Sequence, residues 1–293
     1  MKISIIIVNY NGETFLANCI DSILNSETNL EYEIIIVDNA STDKSLAILE
    51  NYKKSCKIIK NFNNSGFSKG NNIGVNYASG DYLFFLNNDT LLEKDTLSKL
   101  VRLLSEKQSI NVIIPKLLNE DGTLQAPGGL LGRWRFRSAE PCVIPFAAGA
   151  AFFISKKAYL AVGGFDNNYY FYNEDIDLSK SLQKKGYKLF YDPRVSILHY
   201  GGLSTGFRKF HSIIEGYRGG FYLCQKFYGG LILQIYRILM LLYSSIKYVF
   251  HSVFMGFNSN HKEMGAAYKQ LIKINFKQDF QFKHPVENVK VLS

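Results

Sequence analysis

Sulfur is sparse in this chain. Its four cysteines, Cys19, Cys56, Cys142 and Cys224, lie far apart in 293 residues. No pair has zinc-ligand or redox-dithiol spacing, so free thiols in a reducing compartment are expected. The six prolines are scattered, there is no low-complexity tract, and no segment repeats at a fixed period. The first apolar run, Ile3–Val8, follows one early lysine and is too short for the core of a secretory leader. No Gly-x-Gly-x-x-Gly follows that run, which disfavours a dinucleotide-dependent dehydrogenase.

Acidic residues are also scarce, but only in one part. Residues 1–201 hold 22 Lys+Arg against 21 Asp+Glu, whereas residues 202–293 hold 12 against 4, so nearly all of the net charge of +9 sits in the tail. A cationic tail suits an anionic surface, either membrane or nucleic acid. Its charges are interleaved with long aliphatic residues rather than gathered on a polar face, which favours membrane over nucleic acid.

What the chain has in quantity is apolar residues, 47% of the total, enough for a large core. Ile3–Val8 is a β-branched run of the kind buried on both faces of a parallel sheet. Asn9-Tyr10-Asn11-Gly12 reads as a turn, and Phe15 to Leu24 as an amphipathic helix. Glu33–Val37 is a second strand. Ser41-Thr42-Asp43 caps a helix over 45–54, Ile58–Ile59 is a third strand, and Asn61–Gly66 is a turn cluster. Asn72–Ala78 is weakly helical, Tyr82–Leu86 is a fourth strand, and Thr96–Leu104 is a further helix. The alternation Arg133–Arg137 predicts an exposed strand or ordered loop. Ala147–Ile154 is small and apolar. Asn173–Leu178 opens a helix that Gly186 ends, and Val195–Leu198 is a strand running into His199.

Strands alternating with helices predict an α/β fold with a mostly parallel central sheet. In such sheets ligands bind beyond the carboxyl ends of the strands. The polar clusters Asn9–Asn11, Asp38–Asp43 and Asn87–Asp89 all fall there. Asp89 at a strand end suits Mg²⁺ or Mn²⁺ through oxygen, against the plain alternative of a turn with a helix cap. Glu174, Asp175 and Asp177 crowd one helical turn behind an aromatic run, Tyr169–Tyr172. Acids at a helix start are also favoured by its dipole, so the catalytic reading competes with a structural one. Aromatic walls would raise a carboxylate's pKa and suit a general base. His199, at a strand end before two glycines, suits a further metal ligand or a structural role. Tyr10 offers a face for a nucleobase, and Asp38 an acceptor for an imide N–H; each also fits ordinary turn chemistry.

Seven stretches in order carry a resemblance: Val8–Gly12, Val37–Asp43, Asn64-Ser65-Gly66-Phe67 running to Gly74, Leu86–Thr90, Gly163–Asp166, Tyr172–Leu178 and His199–Ser204. Together they resemble the inverting glycosyltransferase family 2, in particular its rhamnosyltransferase-like branch, over residues 1–205. The resemblance implies a GT-A fold and a nucleoside-diphosphate-sugar donor, dTDP- or UDP-linked, with rhamnose the first sugar to test. It implies donor contacts from Tyr10, Asp38, Asn64, Gly66, Asn72, Asn87 and Asp89. Asp175 corresponds to the catalytic base, and Gly149, Gly164 and Glu174 to the acceptor side. A divalent metal, Mg or Mn, would rest on Asp89 and His199. The acceptor would be a glycan or polyprenyl-linked saccharide. One departure stands out: Asn87 occupies the first position of the family's DxD motif, where a neutral amide adds no charge for metal. That departure motivates an alternative, a non-catalytic sugar-nucleotide-binding subunit.

Residues 206–293 read as a separate basic, apolar helical region. Within 229–256, Gln234, Arg237, Ser244, Ser245, His251 and Ser252 fall near one stripe, and the remaining surface is apolar. Charges interrupt the block, so a helix lying in the interface of an anionic membrane is expected ahead of one packed on the catalytic domain or one that spans. The expected location is cytoplasmic, peripheral on the inner face of the cell membrane, with no nucleic-acid partner.

Overall fold

The computed structural model describes residues 1–106, 110–125, 134–147, 149–201, 209–254, 259–277 and 289–291. Arg133, the Gly202–Ser204 end of the last motif and most of the stretch after 277 lie outside the described residues. The chain divides into two compact units. The first comprises 1–166, 175–206 and 285–293; the second comprises 167–174 and 207–284.

In chain order, the first unit begins with β1 (Lys2–Asn9), α1 (Leu16–Leu24), β2 (Glu31–Asp38), α2 (Ser45–Glu50), β3 (Cys56–Asn61), α3 (Phe67–Asn76) and β4 (Tyr82–Asn87). It continues through β5 (Thr90–Leu92), α4 (Thr96–Glu106), β6 (Val112–Leu118), β7 (Cys142–Ile144), β8 (Ala151–Ser155) and α5 (Lys156–Ala161). Then come α6 (Glu174–Lys184), which starts at the unit boundary, and β9 (Leu189–His199). The second unit holds α7 (Lys209–Tyr228), α8 (Gly230–Phe254) and α9 (Ser259–Lys277); β10 (Val289–Val291) returns to pair antiparallel with β3.

The sheet runs β10-β3-β2-β1-β4-β8-β6-β9-β5, with β7 beside β9. The block β3-β2-β1-β4 is parallel, as the expected βαβ units require. Beyond it, β8 pairs antiparallel with β4 and β6, and β5 and β7 pair antiparallel with β9, so the sheet as a whole is mixed. The β-branched runs explain the parallel block. Ile3, Ile5 and Ile7 enter one apolar cluster with α1 and α4 residues, while Ile6 enters the other with Leu178 and Leu182 of α6. Period-two alternation thus loads both faces, and each fully buried isoleucine contributes about 1.5–3 kcal/mol.

Two local readings are sharpened. Residues Arg135–Arg137 form a 3₁₀ turn, the ordered loop of the two expected forms and not the strand, with the Arg135 guanidinium over the Trp134 ring and its Nη1 donating to the Val143 carbonyl. The first helix after β2 is shorter than expected and ends at Glu50. Strand β6 holds Pro115 opposite Asp192, and the next pair is Lys116 with Ser196, so β9 bulges over the stretch that contains its own Pro193, which lacks an N–H for the ladder.

The second unit has its own small core, in which Ile214, Tyr217 and Phe221 of α7 meet Tyr268, Leu271 and Ile274 of α9. Helix α8 is inverted relative to a soluble helix. Its polar side faces inward: Ser244 is fully buried, His251 is 8% exposed, and Arg237 donates to the Asn275 carbonyl. Its apolar side faces out, with Leu231 at 77%, Ile246 at 69% and Val253 at 66% exposure. This helix of 25 residues is also long and apolar enough to cross a bilayer by length and composition.

Candidate active site

The carboxyl ends of β1, β2 and β4 meet in adjacent register, Asn9 opposite Asp38 and Val8 opposite Asn87. Their loops are tied by side-chain amides. Asn9 donates to Asp38 Oδ2 at 2.9 Å and to Ser41 Oγ at 3.1 Å, and Asn88 donates to Asn9 Oδ1 at 2.7 Å. Asn39 donates to the Gly66 carbonyl and accepts from Asn61 and Ser65. Buried amides bonded to one another lock loop geometry, because breaking one leaves a partner stranded. The network holds Ala40 at φ 63° and Asn11 at φ 50°, and Gly66 turns at φ 84° into α3. This brings the first two loops and the α3 start together at one rim.

At the end of β4, Thr90 Oγ1 donates to the Asn87 carbonyl and closes a tight turn. The turn aims Asn87 and Asp89 at His199, which lies opposite Thr90 in the β5–β9 pair. His199 Nε2 is 3.2 Å from Asp89 Oδ1 and 3.3 Å from Asn87 Nδ2. Asp89 is 1% exposed. A carboxylate oxygen and an imidazole nitrogen at that separation match two adjacent ligands of one Mg²⁺ or Mn²⁺, whose bonds of about 2.0–2.1 Å put neighbouring ligands about 3 Å apart. The donor set therefore fits a divalent cation. Among the described residues, no group of three or more His, Cys, Asp or Glu side chains gathers for a metal; water and substrate phosphate commonly supply further ligands to such a cation.

Asp175, at the start of α6, is half-buried and takes a hydrogen bond from the Gly149 N–H, 3.0 Å from its Oδ2. The next carbonyl, that of Ala150, accepts from the Asn87 N–H at 3.0 Å. The proposed base and the Asn87–Asp89–His199 cluster are thus joined by a two-residue backbone bridge, Gly149–Ala150. Burial pushes the Asp175 pKa up to about 6, against backbone hydrogen bonds from Ile176 and Gly149 that pull it down. Gly149 has room: a Cβ there would sit 3.7 Å from Asp175 and from Phe67, ordinary contact distance. Its missing side chain is not a demand of the fold.

Several expected donor or acceptor residues are otherwise engaged. Asp38 accepts from Asn9, the Ser41 hydroxyl and the Ser41 N–H, and is buried inside its own loop. Asn64 Oδ1 accepts from the Gly66 N–H, shaping the turn. Asn72 donates to the Phe165 carbonyl at 2.7 Å and accepts from the Tyr159 hydroxyl at 2.5 Å, so it braces the Gly163–Asp166 turn. Gly164, at φ 75°, is needed by that turn, since a Cβ would meet Tyr159 at 2.8 Å and Asn72 at 2.9 Å. These positions build the rim. Tyr10 is half-buried at the end of β1, and Glu174 is buried at the first position of α6. Sequence reasoning missed Gln125, whose Oε1 is 2.5 Å from His199 Nδ1, and Phe15, whose ring lies 4.7 Å from that of Tyr200. A lone glutamine in a loop carries no signal of its partner.

Comparison with known proteins identifies the fold and family. The structure of Staphylococcus aureus TarS 1–349 superposes with a TM-score of 0.58 at 17% identity, covering 95% of this chain and 92% of that one. A mannosyltransferase from Pyrobaculum calidifontis, PcManGT, solved with GDP-Man and Mn²⁺, gives 0.61 at 13% identity over 94% and 87%. These likenesses establish a GT-A-type α/β fold. The profile of Glycosyl transferase family 2 matches residues 4–162, and the chain belongs to that family of glycosyltransferases. Among curated relatives, the poly(ribitol-phosphate) beta-glucosyltransferase of Bacillus spizizenii is 36% identical over 127 residues, 42% of this chain and 20% of that protein. The poly(ribitol-phosphate) beta-N-acetylglucosaminyltransferase TarS of Staphylococcus aureus is 30% identical over 126 residues, 42% and 22%. The aligned part is thus about a fifth of the length of these relatives.

Proposed function

We propose that this chain transfers a sugar, with inversion, from a nucleoside-diphosphate sugar to a hydroxyl of a glycan or polyprenyl-linked saccharide during cell-surface polysaccharide synthesis. The observation that carries this reading is the short bridge from Asp175 through Gly149–Ala150 to Asn87, beside Asp89 and His199. Asp175, with its raised pKa, takes the proton from the acceptor hydroxyl as that oxygen attacks the anomeric carbon. The nucleoside diphosphate leaves on the opposite side, which inverts the centre. Asn87 would donate a hydrogen bond toward the ribose or diphosphate, and Asp89 with His199 would hold the cation. When bound, Mg²⁺ or Mn²⁺ neutralises charge on the leaving diphosphate. The likeness to the two poly(ribitol-phosphate) glycosyltransferases supports a surface-polymer acceptor. A dTDP- or UDP-linked hexose, with rhamnose tested first, is the proposed donor.

The region from 206 onward is proposed to hold the enzyme on the anionic inner face of the cell membrane. The outward apolar side of α8 and the tail's excess of 12 Lys+Arg over 4 Asp+Glu support this. The test is nucleoside diphosphate release from a panel of dTDP-, UDP- and GDP-sugars with Mn²⁺ and a membrane-derived acceptor extract. Release with one donor, lost in Asp175→Asn, is expected; acceptor-dependent release at the wild-type rate in Asp175→Asn would overturn the reading.

A further inference from the structure

Gln125 lies outside every motif that led to the active site, yet it touches the ring at its centre. Its backbone N–H donates to the Leu117 carbonyl at 2.9 Å, which anchors it alongside β6. Its side-chain Nε2 donates to Asn119 Oδ1 at 3.0 Å and to the His199 carbonyl at 3.3 Å. Asn119 is itself oriented, since its Nδ2 donates to Thr123 Oγ1 at 2.9 Å. Both partners of the Gln125 NH₂ are acceptors, so the amide cannot be flipped without setting oxygen against oxygen twice. Its Oε1 is therefore the atom that faces His199 Nδ1, at 2.5 Å. An acceptor at that distance from a ring nitrogen requires an N–H between them.

We infer that Gln125 is a positioning residue, holding a proton on His199 Nδ1 and fixing the ring plane so that Nε2 is the nitrogen left for a cation beside Asp89 and Asn87. The inference rests on the reading of Asp89 and His199 as metal-holding residues and adds the element that orients the ring. Metal-binding imidazoles need such a partner on the far nitrogen, because it selects the tautomer and fixes the ring plane. A neutral amide suits the task. It accepts the Nδ1 proton without adding a second carboxylate to the ring, since Asp89 Oδ1 already lies 3.2 Å from Nε2 and would hold a proton there until a cation takes its place. The backbone is shaped around the same contact. Gly201 turns at φ 69°, and a Cβ there would come within 2.8 Å of Gln125 Nε2. A side chain at 201 would displace the amide that orients the ring two residues earlier.

The test is ¹⁵N-histidine NMR of the metal-free full chain at one fixed pH, with the His199 signals assigned by loss in His199→Asn. Wild type should show a protonated Nδ1. Gln125→Leu should lose that fixed pattern and exchange between tautomers. Gln125→Glu, which keeps an acceptor, should retain the Nδ1–H and guards against a folding defect in the leucine variant. The second readout is Mn²⁺ binding in the presence of UDP, followed by electron paramagnetic resonance. Gln125→Leu should weaken it about 10- to 100-fold, as loss of such outer partners typically does. An unprotonated Nδ1 in wild type, or an unchanged pattern in Gln125→Leu, overturns the inference. If wild type shows the Nδ1–H pattern but takes no Mn²⁺ with UDP, the metal reading fails while the positioning role of Gln125 stands.

Discussion

The two units solve opposite burial problems. In the first, apolar strands fill both faces of the sheet, and the polar groups gather at the carboxyl rim, where they bond one another or await substrate. In the second, α8 turns Ser244, His251 and Arg237 inward and leaves Leu231, Ile246 and Val253 in the open. A soluble enzyme unit exposes polar chemistry at a cleft. The second unit exposes a continuous apolar stripe, which stays stable in water only at a cost unless something apolar covers it. The difference teaches that burial alone separates the two units: one gathers its polar groups at a rim, and the other leaves an apolar helix face outward, the feature on which the proposed membrane attachment rests.

The comparison can be broken most sharply at the rim. Asp175→Asn is expected to lower kcat about 10²- to 10⁴-fold, the range of a general base, measured as nucleoside diphosphate release. The same variant should be more stable at neutral pH. Because folding raises the Asp175 pKa from 3.8 to about 6, its carboxyl favours the folded state while protonated. That contribution is present in acid and lost as pH rises through about 6, so the charged form costs stability at pH 7. Asparagine removes a cost on the order of 1–3 kcal/mol, seen as a higher Tm at pH 7 and almost none at pH 4.

Next in size, Asp89→Asn should lower kcat about 10²- to 10³-fold and weaken Mn²⁺ binding, with far-ultraviolet circular dichroism unchanged. At the other unit, Leu242→Glu with Ile246→Glu should cut co-sedimentation with vesicles rich in phosphatidylglycerol by more than tenfold, while kcat on a soluble acceptor stays the same. Both side chains are exposed, so the melting temperature should not fall; wild-type vesicle binding in the variant would remove the membrane assignment. The smallest effect expected is for Gly149→Ala. A methyl there meets only ordinary contacts, so folding should be intact and kcat/KM should drop several-fold by crowding the reacting groups.

How much was legible in advance follows from what kind of force acts at each place. The parallel block was legible because β-branched runs report burial on two faces locally. Strand β6 was not, since Pro115 interrupts its pattern and its partners β8 and β9 come much later in the chain. Arg133–Arg137 alternates like a strand, yet Arg135–Arg137 turns, because the contacts of Arg135 with Trp134 and Val143 outweigh a weak local preference. At the site, motif order located Asp89, Asp175 and His199 at one rim. It did not say which way each amide points. Asn72 and Asn64 therefore read as donor contacts, whereas their hydrogen bonds brace loops. Gln125 reaches His199 across 74 residues of sequence, a distance over which no local pattern carries information.

The most direct test of the joint rim is kcat/KM for sugar transfer as a function of pH, in wild type and in Asp175→Asn. The wild-type profile should rise through about pH 6 to a plateau, as the carboxyl loses its proton, and the asparagine variant should be low and without that rise. A wild-type profile already flat from pH 5 upward, or the same rise retained in Asp175→Asn, would contradict the assignment of Asp175 as the base that works beside Asp89 and His199.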